Sequence, residues 1–204
     1  MCGRARSTAR PSEIRNILNR ILNDQESAPV LINEDTIVNN ADNITPGMCM
    51  HVAYMDNDNN ICVDIMTWGI KMSNMTLFNT RSEDLSEKPK FCKMMKDNRG
   101  VVILDGFYEY ISNGRGKPKS KILITPADNK HFIIPVIFNN KKSFTILTQS
   151  PVTETYSTIH DRQPVIFSNT QLYYWIVTHK HHDQFDNIKN IDVSINTFNM
   201  ISVL

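Results

Sequence analysis

Cys2 stands directly behind the initiator methionine, where its chemistry differs from that of an internal cysteine. A small second residue is the usual condition for removal of Met1, and removal places a thiol and a free α-amine on adjacent carbons. The ordinary pKa values of such groups, about 8.5 and about 7.7 to 8.0, leave part of each deprotonated near neutral pH. An aldehyde meeting this terminus condenses with the amine to an imine and releases water. The thiol then adds to the imine carbon and closes a thiazolidine. A retained Met1 would block the amine and switch this route off.

Imine chemistry needs groups that move protons. Glu109 follows an apolar run and is flanked by Phe107, Tyr108 and Tyr110, surroundings that keep a carboxyl usable as an acid or base. His160 lies in the polar turn Ile159-His160-Asp161-Arg162-Gln163-Pro164, where loop-borne histidines are displayed. Asn79 offers an amide that can orient an amine, and Arg81 a guanidinium that can hold a phosphate with two hydrogen bonds. Each has an ordinary structural alternative: a strand carboxylate facing water, a histidine capping a turn, a solvated arginine. Arg4, Arg6 and Arg10 surround the reactive end, and that proximity favours a phosphate-bearing substrate over a peptide.

Other clusters carry less. Arg115, Lys117, Lys119 and Lys121 fall on a Gly- and Pro-containing loop and read as a solvated hairpin tip. His179-Lys180-His181-His182 lacks accompanying cysteine or carboxylate spacing, so neither metal nor cofactor is expected. The net charge of +1 does not advertise a nucleic-acid partner, which must be argued from local clusters. The 4 cysteines form no CxxC pair and no dense framework, which points to reduced thiols. The start of the chain has no apolar leader and no stretch approaches membrane-span length, so an intracellular protein is expected.

The elements that must position these groups are legible in outline. Ile14, Ile17, Leu18, Ile21 and Leu22 recur at helical spacing behind Pro11, predicting an amphipathic helix over Pro11–Leu22. Two β-prone runs, Met50–Tyr54 and Ile61–Met66, flank Asp56-Asn57-Asp58-Asn59-Asn60 and predict a hairpin. Phe91, Met94 and Met95 fit a short helix. Strand-like runs follow at Val101–Leu104, Ile122–Thr125, Phe132–Phe138 and Phe144–Thr148. Thr153–Ile159 reads as a short helix, and Ser168 as the cap of a helix from Thr170 toward Thr178. The sum, over 204 residues, is a single α+β domain with curved or barrel-like antiparallel sheets and flanking helices, since short consecutive strands need a closed or covered sheet.

In chain order, Met1-Cys2-Gly3-Arg4, Asn43-Ile44-Thr45-Pro46-Gly47, Thr67-Trp68-Gly69, Asn79-Thr80-Arg81-Ser82-Glu83, Asp105-Gly106-Phe107-Tyr108-Glu109-Tyr110 and the His160 turn together resemble the SOS response-associated peptidase (SRAP) family. The resemblance implies a replication-associated, monomeric protein that binds single-stranded DNA and single-strand/double-strand junctions. It also implies covalent trapping of the ring-opened abasic sugar. Carried over residue by residue, Cys2 is the crosslinking residue, Asn79 its orienting partner and Glu109 the acid/base, while His160 aids ring opening and reversal. Arg4, Arg81 and Arg162 become phosphate contacts, and Pro46, Trp68 and Tyr108 apolar surfaces against bases. The family's aromatic pattern around the glutamate is richer in tryptophan than Phe107-Tyr108-Glu109-Tyr110, and Asp192–Leu204 matches it only loosely. Two rival readings stand beside this one. They are a cysteine peptidase pairing Cys2 with His160, acting on its own leading residues, and a noncovalent reader of modified bases.

Overall fold

The computed structural model describes residues 3–22, 30–32, 42–115, 119–127, 131–177 and 198–203. Cys2, Lys117 and the His179–His182 run lie outside the described residues. Strand β1 (Ala5–Arg6) leads to helix α1 (Pro11–Leu22), whose bounds are those its spacing predicts. Pro11 suits the first turn, Glu13 Oε2 accepts the Arg10 N–H at 2.7 Å, and Ile14, Leu18 and Leu22 are buried. After β2 (Val30–Ile32), the expected hairpin forms from β3 (Cys49–Met55) and β4 (Ile61–Trp68). Its turn closes on Asp56, whose Oδ1 accepts from Asp58 N at 2.9 Å and Asn60 N at 2.8 Å. The short strands β5 (Ile70–Lys71), β6 (Thr76–Leu77) and β7 (Asn79–Arg81) follow, then a helical turn over Ser82–Leu85 and helix α2 (Pro89–Asp97), which buries Phe91, Met94 and Met95.

The second half comprises β8 (Arg99–Leu104), β9 (Gly106–Ile111), β10 (Ser120–Pro126), β11 (Phe132–Phe138), β12 (Ser143–Gln149), α3 (Glu154–Ser157), β13 (Gln163–Pro164), α4 (Asn169–Val177) and β14 (Phe198–Val203). The predicted cap forms, Ser168 Oγ accepting from Gln171 N at 3.3 Å, and Thr153, read as the first residue of its helix, instead caps it, Oγ1 accepting from Tyr156 N at 3.1 Å. Ser168 N donates to Gln171 Oε1 at 2.6 Å, completing a reciprocal capping box.

Strands β12, β11, β8, β3 and β4 neighbour one another in that order, and β4 returns to β12, so this part of the sheet closes on itself. The closing pairs, Thr67 with Ser143 and Trp68 with Phe144, run parallel, as do β7 on β12 and β2 on β4. The expectation of antiparallel pairing therefore holds along the barrel but not at its seam. The paired strands there are far apart in sequence, and a long connection permits either direction. Side chains alternate between two cores. Val101 and Ile103 of β8 join α1, α2 and α4, whereas Val102 and Leu104 join Phe107, Ile122 and Ile124 of a second sheet ordered β1-β9-β10-β14. At the corner between the sheets stands Gly106, where a Cβ would lie 2.6 Å from the Ile124 carbonyl oxygen. Only glycine allows β9 to approach β10 so closely there.

Candidate functional site

The strand carrying Glu109 also receives the start of the chain. Ala5 pairs with Phe107, and Tyr108 N donates to the Arg4 carbonyl at 2.9 Å, so Gly3 and Arg4 run along the Tyr108 end of β9. Ala5 and Phe107 point into the core. Their strand neighbours Arg4 and Tyr108 therefore take the other face. Ala5 also exchanges both backbone hydrogen bonds with Ile44 at 2.8 Å, which brings the Thr45-Pro46-Gly47 turn to the same corner. Pro46 is half-buried there. Arg4 Nη1 donates to Asn43 Oδ1 at 2.8 Å, and Arg6 pairs with Asp42 at 3.0 Å.

Just behind this segment Asp105 Oδ2 accepts both the N–H and the hydroxyl of Thr8, at 2.5 and 2.6 Å, and its Oδ1 lies 3.0 Å from His131 Nδ1. Burial pushes the Asp105 carboxyl up, but the bonds from His131 and Thr8 outweigh it and hold the group down at about 2. The anchor fixes where the first residues enter β9.

Glu109 is 3% exposed and accepts from the Tyr156 hydroxyl at 3.4 Å. Tyr156 in turn offers its backbone carbonyl to Ile159 N at 2.8 Å and His160 N at 3.1 Å, so its side chain contacts Glu109 while its main chain holds the turn bearing His160. Sequence reading did not single out Tyr156. Its signal, an aromatic in the third position behind a Thr cap, is that of any buried helix residue. His160 Nδ1 lies 3.1 Å from the Arg162 N–H and in contact with Asp161 Oδ1. Nδ1 accepts from the Arg162 N–H only in the form that carries no hydrogen on that nitrogen, so the two contacts select different placements of the ring hydrogen.

Asn79 and Arg81 enter through β7, whose register sets Asn79 against Ile146 and Arg81 against Thr148. On the other side of β12, Thr148 pairs with Pro164, which brings the His160 turn to the same strand end. Arg81 is exposed, and among the described residues no ion pair is seen to engage it.

Two residues expected to contact DNA, Arg162 and Trp68, are buried. Arg162 is 8% exposed, and its guanidinium holds Glu83 with two hydrogen bonds at 2.8 Å and the Thr148 carbonyl at 2.6 Å. These bonds from Arg162, foremost, bring the Glu83 carboxyl down to about 2. A guanidinium committed in this way fixes the turn and has no fork left for a phosphate. Trp68 is fully buried, packs edge-on against Phe78 and donates Nε1–H to the Phe78 carbonyl at 2.8 Å. It therefore presents no face to a base and instead anchors the residue preceding Asn79.

The apolar exposure expected of Trp68 lies next to it in the chain. The β5–β6 hairpin leaves Met72 and Met75 exposed, Met75 at 62%. Gly69, with φ +121°, starts that hairpin, and the Trp68 carbonyl just before it accepts from Gly47 N at 2.7 Å, beside Pro46. Tyr108, also nominated as a base surface, is mostly covered: its hydroxyl donates to the Asp42 carbonyl at 3.0 Å and Lys121 Nζ sits 4.0 Å above its ring. Lys121 thus belongs to β10 and packs on Tyr108 rather than on a solvated tip.

Two of the internal thiols are poor rivals for chemistry. Burial, then the Asp56 carboxylate, pushes the Cys62 thiol up to about 11, and the Cys92 thiol donates to the Leu85 carbonyl at 3.2 Å. Among the described residues no cluster of three or more His, Cys, Asp or Glu could hold a metal, and no helix is long and apolar enough to cross a membrane.

The chain resembles two proteins of Bacillus subtilis strain 168 named abasic site processing proteins, YoqW at 28% and YobE at 27% identity, each over 151 residues and 66% of this chain. The match spans 65% of the length of YoqW and 67% of that of YobE. A phage-related protein from Bordetella bronchiseptica shares the fold with a TM-score of 0.76 at 17% identity, over 99% of this chain and 94% of that one. The family model described as SOS response associated peptidase (SRAP) matches residues 1–203, and the chain belongs to that family.

Proposed function

We propose that this protein processes abasic sites in single-stranded DNA, trapping the ring-opened sugar through Cys2 as a thiazolidine. The observation that carries the reading is that the segment following Cys2 runs beside a strand holding a buried carboxylate, which one tyrosine links to the turn bearing a histidine. Gly3 and Arg4 run along β9, Glu109 stands buried in that strand, and Tyr156 joins it to His160. The names borne by the two Bacillus relatives add support.

In this reading the Cys2 amine attacks the sugar aldehyde, Glu109 moves the protons that let water leave, and the Cys2 sulfur closes the ring onto the imine carbon. His160 assists opening of the sugar and reversal of the adduct. Arg4 and Arg81 hold phosphates, Pro46 with Met72 and Met75 meets bases, and Asn79 orients the amine. Methionines on a hairpin tip suit wedging between base steps.

The test is incubation of purified protein with a single-stranded oligonucleotide carrying one abasic site, followed by denaturing electrophoresis and intact mass. A heat-stable adduct is expected from the protein lacking Met1 and none from Cys2→Ala. An undiminished adduct with Cys2→Ala would refute the mechanism.

A further inference from the structure

We infer that Tyr156 is a positioning residue for Glu109, and that this contact ties the acid/base carboxylate to the turn bearing His160. The inference rests on the abasic-site reading above, in which Glu109 moves protons.

Three features of the fold leave the Tyr156 side chain little freedom. It is 1% exposed, its ring packs 6.4 Å from that of Phe107, and its backbone N–H is bonded by the Thr153 cap at 3.1 Å. Phe107 lies two residues before Glu109 on the same face of β9, so the ring and the hydroxyl of Tyr156 both read that strand. The hydroxyl donates to Glu109 Oε1 at 3.4 Å, across 47 positions of sequence.

A buried hydroxyl and a buried carboxylate each need a polar partner, and here each helps to satisfy the other. The terminal torsion of a glutamate is soft, with a broad minimum. A donor fixed at one oxygen removes that softness and leaves the second oxygen oriented for proton transfer. The Tyr156 carbonyl meanwhile accepts from Ile159 and His160 N–H, so displacement of Tyr156 moves the carboxylate and the histidine turn together.

Tyr156→Phe keeps the ring and removes the hydroxyl. With mature protein and abasic single-stranded DNA, adduct formation is expected to slow about tenfold, the order of one hydrogen bond, while DNA affinity stays close to wild type and Tm falls by only about 2 to 10 °C, as for any buried acceptor that loses one donor. In a Glu109→Gln background the same change should have no further effect on rate, since residues that act as a unit are not additive. An unchanged rate overturns the inference. So does equal slowing in both backgrounds, or a loss of affinity that accounts for the slower rate.

The 13C signal of the Glu109 carboxyl supplies a readout without chemistry, and it should change in Tyr156→Phe. A wild-type protein that forms no adduct while this signal still responds refutes the abasic-site reading and leaves the positioning contact standing. A signal that does not respond overturns the contact.

Discussion

Replacing Arg162 with alanine separates a structural arginine from a phosphate contact. The substitution removes the two 2.8 Å bonds to Glu83 and the 2.6 Å bond to the Thr148 carbonyl. The fall of the Glu83 carboxyl to about 2 from an ordinary 4.5 bounds the interaction with its surroundings at about 3 kcal/mol. Glu83 is 51% exposed, so solvent screening reduces that to about 1 to 2 kcal/mol. Loss of the donor to the Thr148 carbonyl adds about 1 to 2 kcal/mol. The total of about 2 to 4 kcal/mol corresponds to a Tm lower by about 5 to 15 °C in a chain of this size.

The depressed Glu83 carboxyl contributes stability that is present above its unfolded value and lost as pH falls through its folded value. The difference between wild type and Arg162→Ala should therefore be full at pH 7 and shrink between about pH 4.5 and about pH 2. Calorimetry across that range checks both the size and the sign. Titration of single-stranded DNA at several salt concentrations supplies the second arm. Arg162→Ala is expected to keep the wild-type slope of affinity against salt, whereas Arg81→Ala lowers it by about one phosphate contact. An Arg162→Ala protein with unchanged Tm and a reduced slope would refute the assignment.

Trp68→Phe should cost about 1 to 3 kcal/mol, read by denaturant unfolding, because the Phe78 carbonyl loses its donor. Its affinity for single-stranded DNA should stay at the wild-type value. Met75→Ser should do the reverse, weakening that affinity with little change in stability, and a stability loss without an affinity loss would return Met75 to a packing role. Asp105→Asn should destabilise the protein by about 1 to 3 kcal/mol at neutral pH through the Thr8 and His131 contacts. The Asp105 carboxyl is depressed to about 2, so that difference should fade as pH drops from about 4 toward 2, and a difference that grows on acidification would count against the anchor.

Much of the local architecture is written in short stretches of residues. The bounds of α1, the Asp56 turn and the Thr153 and Ser168 caps all follow from neighbours within a few positions, where spacing and side-chain chemistry act directly on the backbone. The two-residue β1 and the C-terminal β14 went unpredicted: one is too short to show a period, and the other is defined by its pairing with β10. Curvature was legible from the run of short strands, but the parallel closure of β4 on β12 was not.

The site divides the same way. Cys2, Asn79, Glu109 and His160 stand out as residue types able to do imine chemistry, and their motifs carry the family. Their partners do not stand out. Arg162 reaches Glu83 across 79 positions and Tyr156 reaches Glu109 across 47. An arginine in a polar turn or a tryptophan before a glycine has the same local sequence whether it faces solvent or fills a core. Sequence by itself determined which groups could react and most of the elements that carry them. Burial and long-range pairing, which exist only once the barrel has closed, decided that Arg162 and Trp68 lie inside the fold and that Tyr156 links Glu109 to the turn bearing His160.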